Sequence, residues 1–162
     1  MVGAVAACGG LSALIDLRLR RVPNPLTFGT ALVGTALAAA HVTPLTLAAA
    51  LSGLVVGLLL MVPGHVFGAT GAGDVKLFAA LGTLLGPAHI VAAFVYTALA
   101  GGVVALAVAI RRRRLKETVG RTAALVATAG GNASEIEQPS VDNRFAYAPA
   151  IAIGALIAAL GV

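Results

Sequence analysis

Four stretches of the 162-residue sequence contain no Asp, Glu, Lys or Arg: residues 1 to 15, 22 to 73, 77 to 110 and 145 to 162. A soluble domain carries roughly 25 % charged residues spread along its length. Here 10 % of residues are charged and 59 % are hydrophobic, and the mean hydropathy is +1.00. Water is therefore not the main solvent of this chain, and the charge-free stretches are where lipid is expected. The net charge of +5 reads as topology information rather than as a nucleic-acid footprint, so no nucleic-acid partner is expected. Cys8 is the only cysteine, which excludes a disulfide within the chain and cysteine-based zinc modules. The N-terminal apolar stretch has no basic segment before it and runs directly into Asp16, Arg18, Arg20 and Arg21. It reads as a retained first helix, not a cleaved signal.

A spanning helix needs about 20 apolar residues, and Pro, Gly and polar clusters punctuate the apolar runs. They divide the chain into six helices, over residues 1 to 16, 25 to 41, 44 to 62, 74 to 86, 88 to 110 and 145 to 161. The charge-free run from Leu77 to Ile110 would be about 50 Å long as one helix, well beyond a hydrocarbon core of about 30 Å. A turn at Gly86-Pro87 is expected to divide it. His41-Val42-Thr43-Pro44 separates helices two and three, and Pro63-Gly64-His65 ends helix three. Basic residues near helix ends belong on the cytoplasmic side. With six spans, Arg18, Arg20 and Arg21, Lys76, Arg111 to Arg114, Lys116, Arg121 and Arg144 all fall on one face. The expected architecture is an all-α polytopic bundle of about six transmembrane helices. Both termini lie outside and the basic loops are cytoplasmic, in one domain spanning 1–162. Residues 111 to 144 form its one long loop, in which Leu115 to Thr128 could make a surface helix.

Acidic residues at membrane depth are costly and mark function by default. Only Asp16 and Asp74 qualify, since the other four acids lie in the long loop. About 15 residues precede Asp16 in its helix and about 12 follow Asp74 before Gly86, or roughly 22 and 18 Å of helix. Both lengths fall short of a full crossing, so if their outer ends reach the far interface both acids are recessed below the cytoplasmic surface at broadly similar depth. Two carboxylates in one water-accessible cleft do not both ionise easily and tend to share a proton. One can then take a proton from water while the other hydrogen-bonds a carbonyl. In Gly71-Ala72-Gly73-Asp74-Val75-Lys76-Leu77 two glycines precede the acid, where backbone freedom allows close approach of another chain. Each acid also has a plain reading: Asp74 as a helix N-cap, and Asp16 as a charge neutralised by the arginines that follow it.

Together, two motifs carry a resemblance. Asp16 leads into Arg18, Arg20 and Arg21 and then Val22-Pro23-Asn24-Pro25-Leu26-Thr27. Gly71-Ala72-Gly73-Asp74-Val75-Lys76-Leu77 follows later in the chain. In this order they resemble the type IV prepilin peptidase family of GxGD aspartyl membrane proteases. Tyr147-Ala148-Pro149-Ala150-Ile151-Ala152 is similar to that family's last-helix motif, with Ala146 and Ala148 where proline and glycine are often found. The resemblance implies an endopeptidase that removes the leader of pilin-like precursors after a glycine at the cytoplasmic face of a bacterial-type inner membrane. It implies Asp16 and Asp74 as the catalytic pair, with Gly71 and Gly73 as motif residues that place the backbone. Longer members also methylate the new N-terminus and carry a cysteine-bearing insertion near their start. This chain has no room for it before Asp16, and resembles the short, peptidase-only branch associated with Flp or tight-adherence pili. No methyltransferase activity, metal or cofactor is expected.

Other residues read structurally. Asn24 and Pro25 fit the N-cap and first position of helix two. Lys76 fits a topology anchor, and two residues of helix turn it away from Asp74. His41 and His89 fall on the outer face and His65 in a cytoplasmic loop, so no metal constellation forms. Gly29 through Gly34 and Gly82 to Gly86 fit close helix packing. A different class of function also fits the acids: a non-enzymatic membrane subunit or small proton-coupled transporter, with a structural or proton-carrying pair.

Overall fold

A computed structural model of the chain describes residues 1–19, 22–67, 70–111 and 147–161. The expected loop at 111 to 144, with its surface helix, lies almost wholly outside these residues. Among the described residues five helices form: α1 Val2–Leu19, α2 Asn24–Ala39, α3 Leu47–Val66, α4 Ala72–Arg111 and α5 Ala148–Leu160. The chain is an all-α membrane protein. Among the described residues three helical segments, Val2–Leu19, Leu47–Val66 and Ala72–Ala107, are long and apolar enough to cross a membrane, and Ala148–Leu160 is apolar but shorter.

α4 is not one rod. Gly86 has φ 74° and ψ 174°, outside the helical range, at the expected break. Phe78 and Phe94 would stand about 24 Å apart along a continuous helix. Their rings instead meet edge to face with centroids 6.1 Å apart. The chain therefore folds back at Gly86, giving a first arm (72–85) and a second arm (87–111). Only a residue tolerant of positive φ turns the chain so sharply, and the Leu45 side chain covers the turn.

The first arm is the centre of the bundle. Every residue from Leu77 to Gly86 is buried, as expected of a helix that is apolar all round. Leu77, Phe78, Leu81, Leu84 and Leu85 form the core with Ile90 and Ala93 of the second arm and Ile151 and Ala155 of α5. The surrounding helices turn small residues inward at helical spacing. α1 buries Val5, Gly9, Ser12 and Asp16, α2 Thr27, Thr30, Gly34 and Ala38, and α3 Ala50, Gly53, Gly57 and Met61. Their large side chains, among them Leu11, Leu14, Phe28, Leu32, Leu51 and Leu59, point outward. Small residues inside and large apolar ones outside is the pattern of helices packing in lipid, where close backbone approach drives association. Gly53 and Gly82 show it most clearly, because a Cβ on either would overlap the carbonyl of the other. Gly29 takes no part, having open space beside it.

Several helix ends differ from expectation. α1 continues past Asp16 to Leu19, so the acid is inside the helix rather than at its end. α3 runs through Pro63 to Val66. A proline removes one N–H but leaves its own carbonyl free, and Phe67 N donates to Pro63 O at 3.0 Å; His65 is accordingly helical and not in a loop. α2 starts one residue earlier than expected: Pro23 is the cap and Asn24 the first helical residue, with no side-chain capping bond. α2 closes at the expected break, where His41 takes φ 54° and Val42 N donates to Leu37 O at 3.0 Å.

Candidate functional site

Asp16 is the last member of the inward stripe of α1 and is 6 % exposed. Arg18, two residues on, is exposed and about 200° around the helix. Arg20 and Arg21 lie outside the described residues. The Asp16 carboxylate meets the start of α5, where Ala148 N donates to Oδ2 at 3.3 Å. A buried carboxylate needs such donors, and the N-terminus of a helix supplies both an unsatisfied N–H and a favourable dipole.

Asp74 is the third residue of α4 and half-buried. It is not the cap. Gly71 precedes the first helical residue, and Gly71 N donates to Asp74 Oδ2 at 3.3 Å while Asp74 N donates back to Gly71 O at 3.0 Å. A third-position carboxylate reaching back to the cap amide is half of a capping box. The glycines are placed tightly around it. A Cβ on Gly71 would stand 3.1 Å from Asp74 Oδ2, and one on Gly73 would stand 3.3 Å from Val22 Cβ.

That contact with Val22 joins the α1–α2 connection to the start of α4. Nearby, Lys76 Nζ donates to Asn24 Oδ1 at 3.1 Å, so the lysine tethers α4 to α2 and Asn24 serves as acceptor instead of cap. The end of α1 and the starts of α2, α4 and α5 thus gather at one end of the bundle. Asp16, in the last turn of α1, and Asp74, in the first turn of α4, both lie at this end. At the α1–α2 connection, an open cleft of about 660 Å³ is lined by Leu19, Val22, Pro23 and Asn24.

Tyr147, just before α5, completes the cluster. Its ring packs on Gly101 of the second arm. Sequence reasoning singled out Tyr147 through the last-helix motif but gave it no contact. Gly101 and the Ala148 amide went unnoticed, because neither a glycine pair nor a backbone N–H carries a sequence signal. Among the described residues no group of three His, Cys, Asp or Glu is placed to hold a metal ion.

A bundle of apolar helices that gathers two carboxylates from distant segments at one end is a membrane protein with a candidate acid pair. The sequence model of the type IV leader peptidase family matches residues 4–106, a range that contains both acids. The chain belongs to this family of peptidases. No match was found among curated proteins or among solved structures.

Proposed function

We propose that this chain is a membrane-embedded aspartyl endopeptidase that cuts the leader from pilin-like precursors, with Asp16 and Asp74 as its catalytic pair. The observation that supports this reading is that Asp16 sits against the start of α5 and Asp74 at the start of α4, at one end of the bundle, one buried and one half-buried, in a chain of the leader peptidase family. In the proposed reaction the ionised member of the pair takes a proton from a bound water, and the water oxygen attacks the scissile carbonyl carbon. The protonated member hydrogen-bonds the carbonyl oxygen. Collapse of the tetrahedral intermediate breaks the C–N bond as a proton passes to the departing amine. The Gly71 amide orients Asp74, and Gly73 lets α4 close on Val22, so both glycines act by backbone placement. The cleft beside Val22 and Asn24 offers an approach for an extended peptide.

In this reading the chain crosses the membrane six times, the two arms of α4 counting separately. The acid pair faces the cytoplasm of an inner membrane, and both termini lie outside. The precursor is cut after a glycine, without methylation of the product and without a cofactor. A candidate precursor co-expressed with wild type, Asp16→Asn and Asp74→Asn at matched levels tests the reading. Leader removal by wild type and by neither variant is expected. An intact precursor with all three, over several plausible precursors, favours the non-enzymatic subunit or proton-carrying transporter instead.

A further inference from the structure

Gly101 belongs to no motif, yet it is buried on the second arm, and the tyrosine ring occupies the space its side chain would need. A Cβ there would stand 2.6 Å from Tyr147 Cε2 and 2.9 Å from the phenol oxygen. Gly102, the next residue, is exposed, and a Cβ on it would meet nothing within 4 Å. Two adjacent glycines in one helix therefore have opposite surroundings, and only the first has a packing reason to lack a side chain.

Tyr147 connects this seat to the acids. It is the N-cap residue of α5, and its carbonyl accepts from Ile151 N at 3.1 Å. The next amide along, that of Ala148, is the one that donates to Asp16. The ring, the first turn of α5 and the Asp16 carboxylate thus form one continuous run of contacts.

We propose that Gly101 and Tyr147 are positioning residues for the acid pair: the tyrosine ring seated on Gly101 fixes the start of α5, and so the amide that orients Asp16. The proposal rests on the catalytic reading only for its effect on cleavage; its effect on the carboxylate stands alone. A methyl at position 101 displaces the far end of a flexible side chain, so it shifts the ring without unpacking the bundle. The same methyl at position 102 is free of contacts and shares any gain in helix propensity, which makes it the matched control.

The experiment uses full-length wild type, Gly101→Ala, Gly102→Ala and Tyr147→Ala in liposomes. Two quantities are read: the rate and pH dependence with which a hydrophobic carbodiimide labels Asp16, located by mass spectrometry, and kcat and KM for precursor cleavage. Gly101→Ala and Tyr147→Ala are expected to change the Asp16 labelling rate severalfold and displace its pH midpoint. They should also lower kcat about 10-fold or more with little change in KM, while Gly102→Ala matches wild type. Labelling of Gly101→Ala and Tyr147→Ala indistinguishable from that of Gly102→Ala overturns the proposal. Altered labelling in a protein whose wild type cuts no precursor leaves the seat standing and removes the peptidase reading.

Discussion

Asp16 and Asp74 solve the problem of a carboxylate in an apolar bundle in the same way, by meeting a helix N-terminus. Asp74 uses the amide at the start of its own helix, and Asp16 borrows the first amide of α5. The geometry around Asp74 leaves little slack. Gly71→Ala adds a methyl 3.1 Å from its Oδ2, tighter than ordinary van der Waals contact, so the carboxylate must give way by a few tenths of an ångström. The helix start survives this, because the backbone bonds of Gly71 O to Asp74 N and Val75 N remain. Gly71→Ala is therefore expected to lose about 10-fold in kcat at unchanged thermal stability, measured on purified protein with a precursor substrate. Unchanged kcat would mean that the carboxylate does not need this position. Both acids were visible in the sequence because a charge is rare in so apolar a chain. Their hydrogen-bond partners were not, since these are backbone amides brought near by the fold.

Among the helices, the α4 hairpin organises the rest. Its first arm fills the centre, α3 closes on it through Gly53 and Gly82, and α5 lies against the second arm, where Gly154 faces Thr97. The turn depends on Gly86. At φ 74° and ψ 174°, a region open essentially to glycine alone, a side chain costs about 1–3 kcal/mol in backbone strain, and a Cβ would stand 2.8 Å from Leu45 Cδ2. Gly86→Ala is expected to lower the thermal midpoint in detergent and to lower cleavage only in proportion to the folded fraction; a midpoint equal to wild type would contradict it. The break itself was legible in the sequence, because an apolar run of about 50 Å does not fit a hydrocarbon core of about 30 Å. The ends of α1 and α3 were not. A proline in the last turn of α3 removes a single donor, and three more residues stay helical after it.

Across the whole molecule, the outward apolar side chains and inward small ones describe a body solvated by lipid, with its acids at one end. The proposed six crossings would put Arg18 and Lys76 on the cytoplasmic side and His41 on the other. Cysteines introduced singly at positions 18, 41 and 76, in a Cys8→Ala background, are expected to react with a membrane-impermeant maleimide in that pattern. Position 41 should label from outside in intact cells, and the other two only after lysis. Labelling of all three from the same side would contradict six crossings. The most direct test of the acid pair is the cleavage rate of purified, reconstituted wild type, Asp16→Asn, Asp74→Asn and the double variant on one precursor, with folding checked by thermal melting. Two carboxylates acting as one unit are grossly non-additive. Each single variant should lose about 10³-fold or more and the double variant no more than either; substantial activity in either folded single variant would contradict the pair.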